Sequence, residues 1–106
     1  AGCNPYLVSA AIIAAGLDGI ERELTPPPAC NENLYTLSLE EIAGRGIGTL
    51  PQSLKEAVEA LKADPLFRET LGAEIVDEFI LQKSMEWVEY SRHVSDWEIQ
   101  RYTEFF

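Results

Sequence analysis

The chain has 106 residues, enough for one domain with a modest core and a small stability margin. Its 46% hydrophobic content excludes wholesale disorder. With 18 acidic against 8 basic residues it carries a net charge of -10, which excludes a phosphate-tracking surface for nucleic acid and an anionic membrane surface as partner. The acidity itself is expected to serve solubility, with a docking face for a basic partner as the alternative.

The apolar stretch Pro5–Leu17 lacks a basic start and is too short to span a bilayer, which needs about 20 apolar residues. It reads as a helix over residues 4–24. Asn4 suits the N-cap and Pro5 the first helical position, where a missing N–H costs nothing. From Tyr6 to Leu17 the helix is apolar on nearly every face, the pattern of a helix covered on all sides. A chain of this size offers few partners to cover it, so the helix is expected to come from something longer.

Residues 25–37 begin with Thr25-Pro26-Pro27-Pro28, which breaks the helix and favours extended polyproline geometry. Leu34, Tyr35 and Leu37 are expected to pin this irregular segment onto the body. Three capping boxes follow: Ser38 with Glu41, Ser53 with Glu56, and Ser95 with Glu98. The first opens a short helix ending at Gly44, and Gly44, Gly46 and Gly48 mark a loop closed by Pro51. The second opens residues 54–63, where Leu54, Ala57, Val58 and Leu61 form an amphipathic stripe. Asp64-Pro65 ends it, and a short turn Leu66–Leu71 stops at Gly72. Residues 73–93 form the longest helix, about 32 Å long, with Val76, Phe79, Ile80, Trp87 and Val88 on its apolar face. The third box opens a last helix, Asp96–Phe106. The pattern predicts an all-α segment without strands.

Little of this carries chemistry. His93 has no nucleophile or orienting acid beside it and is expected to complement the C-terminus of the long helix. Glu40 with Glu41, and Glu74 with Asp77 and Glu78, lie along helix faces, whereas a hard cation needs several oxygens converging on one point. The run Gly44-Arg45-Gly46-Ile47-Gly48 lacks the lysine, the Ser/Thr and the preceding strand of phosphate-binding loops, so it reads as a turn. Cys3 and Cys30 belong to no zinc pattern and are expected as free thiols in a reducing cytoplasm, a Cys3–Cys30 disulfide being the alternative. The C-terminal Trp97, Tyr102, Phe105 and Phe106 are aromatic where chain ends are usually polar. Burial of each stabilises by about 1.5–3 kcal/mol, so they are expected to fold back or to dock on another subunit.

Asn4-Pro5-Tyr6-Leu7 followed by Ala14-Ala15-Gly16-Leu17-Asp18-Gly19-Ile20 resembles the C-terminal region of glutamine synthetases. Asn33-Leu34-Tyr35, Leu50-Pro51-x-Ser53-Leu54, Val76-Asp77 and Trp97-Glu98-x-x-Arg101-Tyr102 continue the likeness in order along the chain. The resemblance implies that residues 1–106 are the helical C-terminal segment of an α+β catalytic domain. It implies an ATP-dependent ligase joining ammonia to the γ-carboxylate of glutamate, with Mg²⁺ or Mn²⁺ at the phosphates and active sites between subunits of a ring. Relatives ligating methylamine or polyamines share the pattern. The family's metal-binding and arginine residues precede the Asn4-Pro5-Tyr6-Leu7 motif, so no catalytic, cofactor-binding or metal-binding residue is assigned in this chain, and it is expected to be inactive alone. Tyr35 matches a tyrosine adenylylated in some bacterial members, but Thr36-Leu37-Ser38 follows where those have Asp and Pro, and a buried anchoring role is expected instead. The last helix matches a segment that inserts into a subunit of the opposite ring, with Trp97, Tyr102, Phe105 and Phe106 as anchors. The partners implied are the rest of the catalytic domain and homo-oligomer subunits. A stand-alone helical interaction module of the same ancestry is the alternative.

Overall fold

A computed structural model describes residues 2–103. Among them every regular element is helical: α1 Pro5–Glu21, a 3-10 turn Leu34–Thr36, α2 Leu39–Gly44, α3 Leu54–Ala63, α4 Leu66–Leu71, α5 Ala73–Arg92 and α6 Asp96–Thr103. The chain divides into two compact units, Ala1–Gln52 and Ser53–Phe106.

In the first unit, the Asn4 side chain accepts hydrogen bonds from the Tyr6 and Leu7 N–H groups at 3.0 and 3.3 Å, starting α1 as its sequence predicts. The helix stops without a glycine at the critical place. The Leu24 N–H donates to the Gly19 carbonyl and the Glu23 N–H to the Ile20 carbonyl, both at 3.0 Å, which is the Schellman closure. That closure puts Glu23 in the left-handed region at φ 51°. A residue with a Cβ there costs about 1–2 kcal/mol. Glu23→Gly is therefore expected to firm up the last turn of α1 by about 1 kcal/mol. Helical Cα chemical shifts and slower amide exchange at Ile20–Leu24 would report it, and unchanged values would contradict it.

α2 shows both halves of its capping box. The Glu41 N–H donates to Ser38 Oγ at 3.2 Å and the Ser38 N–H to Glu41 Oε2 at 2.8 Å. The helix ends in a second Schellman closure, with Gly46 at φ 70°, the Gly46 N–H on the Ala43 carbonyl and the Ile47 N–H on the Ile42 carbonyl. Ile42 and Ile47 are half-buried, as the apolar contact of that motif requires.

The second unit holds the only two buried side chains among the described residues, Val58 of α3 and Val76 of α5. α5 packs against both α3 and α4. Ser53 Oγ accepts from the Glu56 N–H at 3.2 Å to start α3, and Asp64 Oδ1 accepts from the Leu66 N–H at 2.9 Å to start α4. Gly72, at φ 94°, turns the chain from α4 into α5. The Arg68 guanidinium then forks onto both oxygens of Asp77, its second bond measuring 2.8 Å, and ties α4 to α5. Of the stripe expected on α3, Leu54 and Leu61 are half-buried but Ala57 is exposed, because the contact with α5 centres on Val58. On α5, Val76, Ile80 and Trp87 face the packing, whereas Phe79 and Val88 lie more than a third exposed. α6 begins with a complete box, the Ser95 N–H donating to Glu98 Oε2 at 2.8 Å and the Glu98 N–H to Ser95 Oγ at 3.3 Å.

The backbone N–H of Ser38, with its hydroxyl, holds the Glu41 carboxyl below its usual pKa, and Ser95 does the same to Glu98. Each helix start is therefore fully stabilised above the unfolded carboxylate pKa of about 4.3 and loses that stabilisation as pH falls through the depressed folded value. Ellipticity at 222 nm should fall on acidification over that window, and the Glu41→Gln/Glu98→Gln double variant should show a flatter profile. Superimposable profiles would contradict the capping role.

Candidate functional site

The residues left uncovered are the feature that points to function. No side chain of α1 is buried. Tyr6 is 84% and Ile20 74% exposed, and Ile12, Ile13 and Leu17 are each more than half exposed. A 17-residue helix that is apolar on every side has little reason to persist in water by itself, since isolated helices of this length are marginal. The total accessible surface is 9330 Å². A compact monomer of 11.8 kDa would expose about 5,900 Å², and two separate compact bodies of half that mass about 7,100 Å² together. The excess therefore does not depend on how the two units are arranged.

Tyr35 is fully exposed and Leu34 borders on exposed, while only Leu37 is half-buried. Within this chain the expected anchoring role of Tyr35 finds no packing partner, since no described side chain of the first unit is buried. The turn is held instead by Asn33, whose Oδ1 accepts from the Tyr35 N–H at 3.1 Å.

On α6, Trp97 and Tyr102 are each more than half exposed and meet edge to face, with ring centroids 6.2 Å apart. Phe105 and Phe106 lie outside the described residues. α5 adds an exposed apolar set that the sequence reading placed only in part, Leu81 and Met85 beside Val88. Its signal was present as steps of four and three residues.

Three of the carboxylates singled out by the sequence are occupied structurally. Glu41 caps α2, Asp77 binds Arg68, and Glu78 accepts from Gln82 at 3.0 Å. Among the described residues no group of three or more His, Cys, Asp or Glu is placed to hold a metal ion. The glycine run serves the end of α2, and Arg45 within it pairs with Glu32 at 2.5 Å. The His93 backbone N–H closes α5 by donating to the Tyr90 carbonyl at 3.1 Å. Cys3 and Cys30 are exposed free thiols. No described helix is long and apolar enough to cross a membrane.

Comparison with known proteins places the chain in a family. The family described as "Glutamine synthetase, catalytic domain" matches residues 1–102. The chain belongs to that family. It is 54% identical over all 106 residues to a glutamate–methylamine ligase of Methyloversatilis universalis, covering 24% of that protein. It is 47% identical over 100 residues to a glutamine synthetase of Thermus thermophilus, covering 94% of this chain and 22% of that one. A solved structure titled "Apo GmaS without ligand" superposes with a TM-score of 0.73 at 36% identity, over 98% of this chain and 23% of the other. The chain thus spans about a quarter of the length of the glutamine synthetase relatives it matches. Its helical character agrees with the region of the glutamine synthetase fold that it matches.

Proposed function

We propose that this chain is the helical C-terminal part of an ATP-dependent ligase that joins an amine to the γ-carboxylate of glutamate. Its role there is to brace the catalytic domain and to hold subunits together. The observation that carries this reading is α1, apolar on all faces yet with no buried side chain, in a chain that matches the catalytic domain over residues 1–102. Such a helix gains cover only from further polypeptide. The exposed Trp97 and Tyr102 on α6 suit an oligomer contact, because paired aromatics dominate such interfaces. ATP and the divalent metal are held elsewhere in the ligase, in keeping with the structural use of this chain's carboxylates. Exposed free thiols accord with a reducing, cytoplasmic setting.

Ammonia is the first reading of the amine. Methylamine is the second, favoured by the 54% identity along the whole chain to a glutamate–methylamine ligase against 47% to a glutamine synthetase. The purified 106-residue chain, given glutamate, ATP, Mg²⁺ and either amine, is expected to release no ADP above background. Turnover by the chain alone would overturn the supporting role. Assay of a protein carrying this segment within a whole catalytic domain decides the amine by the ratio of kcat/KM for ammonia and methylamine.

A further inference from the structure

α5 uses one face for the contact with α3 and α4 and leaves a second, regular face open. Glu74, Glu78, Leu81, Met85, Val88 and Arg92 follow one another at steps of four, three, four, three and four residues. That is the a/d spacing of a coiled-coil seam. The apolar centre of the seam is open, with Leu81 55%, Met85 65% and Val88 43% exposed. A shallow depression beside Met85 and Val88 runs to Arg92. Neither Glu74 nor Arg92 makes an ion pair among the described residues.

The order of charge along the seam selects its occupant. The six positions are symmetric about residue 83: 74 with 92, 78 with 88, and 81 with 85. A second copy of α5 laid antiparallel therefore sets Glu74 against Arg92 at each end, Leu81 against Met85 in the middle, and the stem of Glu78 against Val88. These are the a-to-d layers of an antiparallel pair. A parallel pairing would oppose Arg92 to Arg92 and each Glu to itself, so the same charges exclude it. We propose that this face of α5 binds a second copy of the chain as an antiparallel, two-fold symmetric helix pair clamped by two Glu74–Arg92 ion pairs. Such a contact is isologous and closes at two copies. One helix face buries less than a standard interface, so the pairing is weak and concentration-dependent. It uses neither α1 nor α6, and it stands whether or not the proposed ligase activity does.

Sedimentation equilibrium of the 106-residue chain tests this, with far-UV circular dichroism confirming that each variant keeps its helix content. Glu74→Arg and Arg92→Glu alone are each expected to weaken self-association about tenfold, by turning two attractions into two repulsions. The double reversal Glu74→Arg/Arg92→Glu is expected to restore it to within about threefold, since each end again pairs opposite charges. Leu81→Lys, on the open face, should abolish it without unfolding α5, and 0.5 M NaCl should weaken the wild-type pair. A double reversal as weak as the single variants overturns the proposal. So does association that ignores Arg92→Glu but disappears with Trp97→Ala, or the absence of any concentration-dependent mass up to about 1 mM.

Discussion

Val76→Asp should abolish the cooperative unfolding transition of the second unit. Val76 is one of two buried side chains among the described residues, and it sits where α5 meets its neighbours. An uncompensated carboxylate there costs about 3–5 kcal/mol, comparable with the whole stability expected of so small a core. Ile75→Asp is the matched control: one residue away, 53% exposed, and expected to change stability by no more than about 0.5 kcal/mol. Urea titrations followed at 222 nm would separate the two. Equal losses at both positions would mean that the packing of α3, α4 and α5 does not centre on Val76.

The second large effect depends on context. Ile13→Lys and Leu17→Lys alter side chains that are already more than half exposed in this chain. In the isolated chain each is expected to shift stability by less than about 0.5 kcal/mol. Within the whole catalytic domain, where the proposed function has α1 covered, the same changes would forfeit about 1.5–3 kcal/mol of apolar burial each and force an ammonium into an apolar contact. There they should lower the melting temperature sharply and take ligase activity with it. The pair of measurements is the informative quantity, because a helix that is truly solvent-facing would tolerate both lysines in both settings.

Most helix boundaries were legible because they are written in short-range chemistry. Asn4-Pro5, Ser38 with Glu41, Ser95 with Glu98 and Gly72 act through hydrogen bonds or backbone angles within three or four residues of themselves, and the structure uses each as its sequence suggests. The close of α1 was not legible, because nothing in the identity of Glu23 announces a left-handed backbone. Burial was read less well. Ala57 lies in the stripe expected to pack yet is exposed, because burial is a property of what lies opposite and the contact with α5 centres on Val58. The same reason hid the seam on α5. Sorting that helix into one apolar and one polar face took in Val88 and left Leu81 and Met85 aside, although the three share a stripe.

Amide hydrogen exchange on the dilute, monomeric 106-residue chain bears most directly on whether α1 draws its cover from outside. Amides of α5 around Val76–Trp87 should be protected, and those of Val8–Glu21 in α1 should exchange nearly as fast as in an unfolded peptide. Protection of α1 equal to that of α5 in the demonstrated monomer would contradict the account, because the helix would then be stable without any partner.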